Sequence, residues 1–367
     1  MRIAVRRETA TGERRVALVP DVVGRLVRAG HELRVERGAG ERAGHPDAAY
    51  AAAGGRVTSG AEALDGAGVV LAVRAPTVEE ADLLPAGALL VGLLAPDRSR
   101  PLLARLAARG VDALALERIP RSSRAQAMDA LSSQASLAGY KAVLLGAAAL
   151  PRLMPMMTTA AGTLAPARVL VIGAGVAGLQ AIATARRLGA VVAGFDVRPA
   201  AAEQVRSLGA TFLEVPGAEA TGAGGYAAEL AAEAHARVIA ALSARLRETD
   251  LVVTTAQVPG RPAPRLLPAA AVHAMRPGAV IVDLAAESGG NCELTRAGEA
   301  VEVDGVTVLG AVDLAATLPF HASQAYARNL EALLLHLAGP GGGRALDPAD
   351  EIAGPMLVVH RGALRDP

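Results

Sequence analysis

The sequence contains one cysteine, no tryptophan, three phenylalanines and, at Lys141, a single lysine among 367 residues. One cysteine excludes a disulfide framework and any metal site built from four thiolates, and it suits a reducing compartment. Charge of one sign is not in excess: 37 basic residues face 36 acidic ones, a net charge of +1, which offers no field for nucleic acid. Six of the seven histidines, all but His321, are scattered without metal-ligand spacing, and no metal is expected. Long apolar runs are also missing. The most apolar stretch, from Ala142 to Gly175, is broken by Arg152, Pro155, Pro166 and Arg168, short of the roughly 20 residues a spanning helix needs. The start, MRIAVRRETA, goes directly into a strand-like run without the apolar core of a signal peptide. What is abundant is Ala, Leu and Val. Hydrophobic residues make up 52% and mean hydropathy is +0.33, the signature of buried parallel strands flanked by Ala-rich helices. The length suits two domains of roughly 150–200 residues. A soluble, cytoplasmic α/β protein is expected.

Along the first 120 residues short β-branched runs alternate with helical patterns. Strands are expected at Ile3–Val5, Glu32–Glu36, Val69–Val73, Leu89–Leu94 and Ala113–Leu116, with helices at Asp21–Ala29, Ala61–Leu64, Glu79–Leu83 and Arg100–Arg109 between them. An Ala/Leu-rich segment, Ser132–Leu150, then runs at helical period and is long enough to bridge two domains. A second series follows, with strands at Val169–Ile172, Val191–Asp196, Thr211–Glu214, Leu251–Thr254, Val280–Asp283 and Val306–Leu309. Gly217–Leu230 reads as a long mobile loop. A last helix, Ala325–Ala338, ends in Gly-Pro-Gly-Gly-Gly and is followed by a polar tail. The pattern predicts two Rossmann-like, doubly wound parallel-sheet domains joined by long helices with a cleft between. The first spans residues 1–130 and is completed by about 311–367; the second spans 140–310.

The sharpest motif is Gly173-Ala-Gly175-Val-Ala-Gly178, directly after the apolar run Val169–Ile172 and before a helical pattern. In a dinucleotide fold the first glycine permits the tight turn, the second lets backbone approach the pyrophosphate and the third allows helix and strand to pack closely. The helix N-terminus, with Val176 and Ala177, supplies N–H groups to the phosphates. Asp196, after the next strand, has the offset of the carboxylate that binds both ribose hydroxyls, and it would repel a 2′-phosphate, favouring NAD(H). Val197 and Arg198 follow it, and Arg198 is placed to contact a phosphate or the base. Ala256, Gln257 and Val258 follow another strand end, where ligands sit in such sheets. A purely structural glycine turn is the competing reading. A Rossmann fold does not itself say what reacts.

A polar cluster precedes the bridging helix: Arg121, Arg124, Gln126, Asp129 and Ser132. Gln126, Asp129 and Ser132 are spaced by three and would share a face if they formed a first helical turn. Helix capping by Asp129 or Ser132 is the alternative, and it leaves the two arginines and the glutamine unexplained.

The segments RAQAMDALSSQASLAGYKAV, RVLVIGAGVAGLQAIATARRLGAVVAGFDVRP and VIVDLAAESGGNCEL closely resemble the NAD(H)-binding domain, at the start of the alpha subunit, of proton-translocating NAD(P) transhydrogenase. LPFHASQAYARNL and DEIAGPMLVVHRG are similar to it too, so the resemblance covers essentially the whole chain. That family is related in fold to alanine dehydrogenase. The resemblance implies that Arg121, Gln126, Asp129 and Ser132 surround the nicotinamide, that Asp196 binds the adenosine ribose, and that Tyr226 sits in a mobile loop closing over the nucleotide. It implies NAD(H) here and NADP(H) on a partner, a homodimer, separate NADP(H)-binding and transmembrane subunits, and a peripheral place at the cytoplasmic face of the inner or plasma membrane.

Alanine dehydrogenases use a Lys in a KEP-like segment and a nearby His in the next strand. Here these segments read Val73-Arg74-Ala75-Pro76 and Gly92-Leu93-Leu94-Ala95, and the dehydrogenase aspartate appears as Glu287. Arginine stays protonated and cannot replace lysine as a proton carrier. Hydride transfer between two nicotinamides needs alignment and exclusion of water but no general base. A free-standing alanine dehydrogenase-like oxidoreductase and a non-catalytic NAD-sensing module are the other readings. His321 could belong to a family motif or simply start a helix. Arg6, Glu8 and Arg15 resemble the carboxylate-binding cluster of the dehydrogenases and, without Lys and His, read as a retained fold feature.

Overall fold

The computed structural model describes residues 1–220, 231–258, 261–339 and 344–365. The chain divides into two compact units, Met1–Gln134 with Ala315–Pro367, and Ala135–Leu314.

In the first unit the strands β1 (Arg2–Val5), β2 (Glu32–Glu36), β3 (Arg56–Thr58), β4 (Val69–Arg74), β5 (Leu89–Leu93) and β6 (Asp112–Ala115) are parallel to one another. The second unit contributes β7 (Met157–Thr159), β8 (Gly162–Leu164), β9 (Arg168–Ile172), β10 (Val191–Phe195), β11 (Thr211–Phe212), β12 (Leu251–Thr254), β13 (Val280–Asp283), β14 (Ala300–Val303) and β15 (Val306–Gly310). The chain then returns to the first unit with β16 (Leu357–His360) and β17 (Ala363–Leu364).

The first sheet runs β17-β16-β6-β5-β4-β1-β2-β3. Its two faces sort by strand alternation. Ile3, Val5, Leu71, Val73, Leu89 and Val91 enter one buried cluster, while Ala4, Val70, Ala72, Leu90 and Ala113 enter another. The second sheet runs β11-β10-β9-β12-β13-β15-β14 and is parallel except for β14. Val169, Val171, Val253 and Val282 face one buried cluster, and Leu170, Ile172, Val252 and Ile281 the other. Strands buried on both faces need apolar residues at consecutive positions, and each buried Val, Leu or Ile contributes about 1.5–3 kcal/mol.

Two helices differ from the sequence pattern. The bridging helix is Ala130–Ala149, beginning two residues before Ser132, and the last long helix is Pro319–His336, beginning six residues before Ala325. Pro319 sits in the first turn, where its missing N–H costs nothing. The expected polar tail contains a strand instead: β16 pairs antiparallel with β6, and Leu357, Val358 and Val359 are buried. β7 and β8 form a separate antiparallel hairpin. No helix among the described residues is long and apolar enough to cross a membrane.

Candidate nucleotide-binding site

In the second unit the sheet order places β9 beside both β10 and β12. The chain winds outward from β9 through β10 to β11 and then crosses to β12, so the crevice beyond β9 and β12 is the topological switch point where such sheets bind ligands. The loop of the glycine motif stands there. Gly173 has φ +92°, a conformation L-residues avoid, and a methyl on it would lie 2.7 Å from Thr255 Oγ1. A methyl on Gly178 would lie 1.8 Å from the Gly173 carbonyl oxygen, so only glycine lets the helix Val176–Arg187 come this close to β9. Gly175 is different: nothing lies within 4 Å of where its methyl would be. It begins the helix, and no side chain caps that N-terminus. Open space over a glycine at an uncapped helix start fits an approaching pyrophosphate. Val176 and Ala177 form the first turn of that helix.

Asp196 follows β10 and ties the loop to it. Its Oδ2 accepts the Ala174 N–H at 2.7 Å, and its Oδ1 accepts the Arg198 backbone N–H at 2.8 Å. The Arg198 guanidinium closes on the same carboxylate through Nε and Nη2, each at 2.9 Å, and this bonding raises the Arg198 pKa above its ordinary value. The structure therefore places Arg198 on Asp196 in a fork-like pair. Val197 lies between them, half-buried.

Across the switch point, Thr255 donates its N–H to the Ile172 carbonyl (2.8 Å) and its hydroxyl to the Gly173 carbonyl (3.0 Å). Ala256, Gln257 and Val258 continue from it, with the exposed Gln257 amide donating to the Leu284 carbonyl at 3.2 Å. Asp196 after β10 and Thr255 after β12 thus hold the Gly173-Ala174 turn from either side of β9. Tyr226 lies outside the described residues, as does most of Gly217–Leu230.

In the first unit, Gln126, Asp129 and Ser132 do not share one helical turn. Gln126 opens a separate short turn, Gln126–Met128, while Asp129 immediately precedes the helix Ala130–Ala149. Asp129 caps that helix: Oδ1 accepts the Ser132 N–H at 2.9 Å and Oδ2 the Ser132 hydroxyl at 2.6 Å. Arg121 and Gln126 are exposed, and Arg124 pairs with Glu351 at 2.8 Å. Two residues without an assigned role in the sequence anchor this segment. Asn329 donates to the Ala127 carbonyl (2.8 Å) and accepts from the Ser133 hydroxyl (2.7 Å), and Gln134 links Arg15 (2.8 Å) to the Ala322 carbonyl (3.1 Å). Nothing local marks them, because their partners are distant in sequence. His321 is exposed at the helix start, edge-on to Phe320, which stacks on His45.

The N-terminal polar cluster is internally paired. Glu13, fully buried, meets Arg15 at 2.5 Å and Arg74 at 3.6 Å; these arginines hold its carboxyl below the usual range against the opposing effect of burial. Arg6 pairs with Glu80 at 2.9 Å. Glu8 accepts the N–H groups of Val73 (2.6 Å) and Arg74 (3.2 Å). Ala95, at the end of the Gly92–Ala95 segment, has φ +47° and donates its N–H to Glu117 at 2.6 Å. A cavity of about 200 Å³ beside Arg6, Glu8 and Arg74 belongs to this cluster, and its lining comes from the first unit alone. Among the described residues no group of three or more His, Cys, Asp or Glu is arranged to hold a metal ion.

Two parallel-sheet units, one with a complete dinucleotide loop at its switch point, define a Rossmann-type nucleotide-binding protein. Comparison with known proteins narrows this. The N-terminal domain of the alanine dehydrogenase/PNT family matches residues 4–138, and its C-terminal domain matches residues 142–367. An NAD(P) transhydrogenase alpha-subunit polypeptide of Rhodospirillum rubrum is 45% identical over 377 aligned positions, covering 100% of this chain and 98% of that protein. The crystal structure of transhydrogenase from Sinorhizobium meliloti superposes with a TM-score of 0.91 at 41% identity, covering 99% of each chain. An L-alanine dehydrogenase structure superposes with a TM-score of 0.84 at 30% identity, covering 100% of this chain and 97% of that one. The chain belongs to the alanine dehydrogenase/transhydrogenase family, and its transhydrogenase relatives are the more similar of the two kinds.

Proposed function

We propose that this chain is the NAD(H)-binding subunit of a proton-translocating transhydrogenase. When bound, NADH supplies a hydride that leaves for NADP⁺ on a partner subunit. The chain's task is to hold and align. The Gly173–Gly178 loop with Val176 and Ala177 receives the pyrophosphate, Asp196 with Val197 and Arg198 the adenosine ribose, and Ala256–Val258 the remaining backbone contacts. Because Asp196 is already bonded to Arg198 and Ala174, the ribose hydroxyls would use its remaining lone pairs or displace the guanidinium. Arg121, Gln126, Asp129 and Ser132 attend the nicotinamide by carboxamide and ribose hydrogen bonds, and Tyr226 belongs to a loop over the nucleotide. Alignment of this kind contributes without a proton carrier.

The observation that carries the reading is the contrast between two sites. The dinucleotide loop meets each steric demand of its three glycines, whereas Arg74 stands in place of the dehydrogenase lysine and pairs with buried Glu13. A guanidinium held by a carboxylate cannot shuttle protons. Partner subunits bind NADP(H) and span the membrane, and this chain docks to them at the cytoplasmic face, as a homodimer.

The test mixes the chain with the NADP(H)-binding subunit of a relative, NADPH and an oxidised NAD analogue, and follows hydride exchange by absorbance. Exchange that requires both proteins is expected. Its absence, with the nucleotide bound, would leave the sensing reading in place. Pyruvate- and ammonia-dependent NADH oxidation by the chain alone would establish the dehydrogenase instead.

A further inference from the structure

One buried network ties together the C-terminal ends of β9, β12 and β13. Asp283, the last residue of β13, is fully buried. Its Oδ1 accepts from Thr254 Oγ1 (2.8 Å) and the Ala285 N–H (2.9 Å), and its Oδ2 from the N–H groups of Asn291 (2.8 Å) and Cys292 (3.1 Å) and from Thr295 Oγ1 (2.7 Å). These bonds fix the turn after β13 and with it the direction of the Asn291 side chain, which is also fully buried. The Asn291 amide grips Ala256 from both sides: Oδ1 accepts the Ala256 N–H at 3.0 Å, and Nδ2 donates to the Ala256 carbonyl at 2.8 Å. Nδ2 also donates to the Pro264 carbonyl at 2.9 Å.

Only an amide presents a donor and an acceptor side by side to match a backbone N–H and C=O. An aspartate here would set an acceptor against two carbonyls and place a second carboxylate near Asp283, and a leucine would orphan three backbone groups. The residue type is therefore dictated by Ala256. From there the line continues, because Thr255 bonds to Ile172 and to the Gly173 carbonyl. The network has a second branch, Thr295, that reaches no part of this loop.

We infer that Asn291 is a positioning residue for the dinucleotide: it fixes the Thr255–Val258 backbone opposite the Gly173–Gly178 loop, with Asp283 fixing Asn291 in turn. The inference rests on the reading of that loop as the NAD(H) site. Buried supporting bonds of this kind set the geometry of the groups that touch a ligand.

The two branches allow a decisive comparison in the full chain, by NADH fluorescence titration alongside thermal melting. Asn291→Ala is expected to weaken NADH binding about ten-fold, the worth of one or two hydrogen bonds. Thr295→Val removes a bond to the same carboxylate and is expected to lower the melting temperature while leaving affinity within about two-fold. If Asn291→Ala fails to melt cooperatively, Asn291→Ser is read against the same control. Affinity in the Asn291 variant within about two-fold of wild type would overturn the inference. So would an equal loss in Thr295→Val, which would make the effect one of general stability. Failure of the wild-type chain to bind NADH would instead sink the functional reading itself, and the inference with it.

Discussion

At the scale of single residues, the glycines of the Gly173–Gly178 loop are subject to different constraints, and the differences can be measured. Gly178 is fixed by the protein's own backbone, since its methyl would meet the Gly173 carbonyl oxygen at 1.8 Å. Gly178→Ala must push helix and strand apart and should cost about 2–3 kcal/mol, the range for overpacking a tight contact. Gly175 is free of protein neighbours within 4 Å and has φ −76°, so alanine fits the folded chain. Gly175→Ala should keep its melting temperature within about 2 °C and still lose at least about ten-fold in NADH affinity, because the methyl stands where the phosphates approach. Unchanged NADH affinity in Gly175→Ala would mean that no phosphate rests on that backbone. This motif was legible in the sequence because each glycine answers a local demand. The bonds of Asn291 were not, since its partner Ala256 lies 35 residues away and no spacing rule joins them.

At the scale of elements, strands buried on both faces were readable as continuous apolar runs. β12 and β13 run over the residues the pattern indicates, and β2 does so by alternation, with Leu33 and Val35 on one buried face. Elements set by tertiary pairing were not. β3 and β14 are edge strands, the β7–β8 hairpin is short, and β16 ends the apolar run 352–359, which becomes a strand by pairing with β6. The first turns of the helix Pro319–His336 were hidden because Ser323 faces inward, where periodicity expects an apolar residue. Polar residues also join elements, and Glu8 does so with a pH signature. It fastens the segment after β1 to the end of β4, and burial raises its pKa from 4.5 to about 7 against the lowering effect of the Val73 and Arg74 N–H groups. Folding then takes up a proton between those two values. The cost of holding Glu8 is fully present above pH 7 and disappears as pH falls toward 4.5. Glu8→Gln removes this dependence. The unfolding free energy of wild type minus that of Glu8→Gln, from urea titrations, should rise by about 2–3 kcal/mol between pH 8 and pH 5. Parallel curves over that range would show that Glu8 does not titrate in the folded chain.

At the scale of the whole molecule, the high hydropathy follows largely from two sheets that are each covered on both faces. One apolar stretch is not absorbed this way. From Leu153 to Ala167 the sequence carries no charge, and both strands of the β7–β8 hairpin within it are exposed. Met156 is 63% exposed and Leu164 52%, and Met157 pairs across the hairpin with Leu164. A two-stranded hairpin is marginal in water unless something packs on it, and an uncharged apolar patch matches its own copy better than a charged partner. The homodimer proposed above would bury this hairpin around its two-fold axis. Met157→Glu combined with Leu164→Glu adds two like charges to each copy at positions that face solvent in the single chain, so each chain should fold with its NADH affinity intact while the assembly dissociates. Sedimentation velocity should show a dimer for wild type and a monomer for the double variant at the same concentration. A double variant that sediments as wild type would place the interface elsewhere, and a monomeric wild type would remove the homodimer from the proposal.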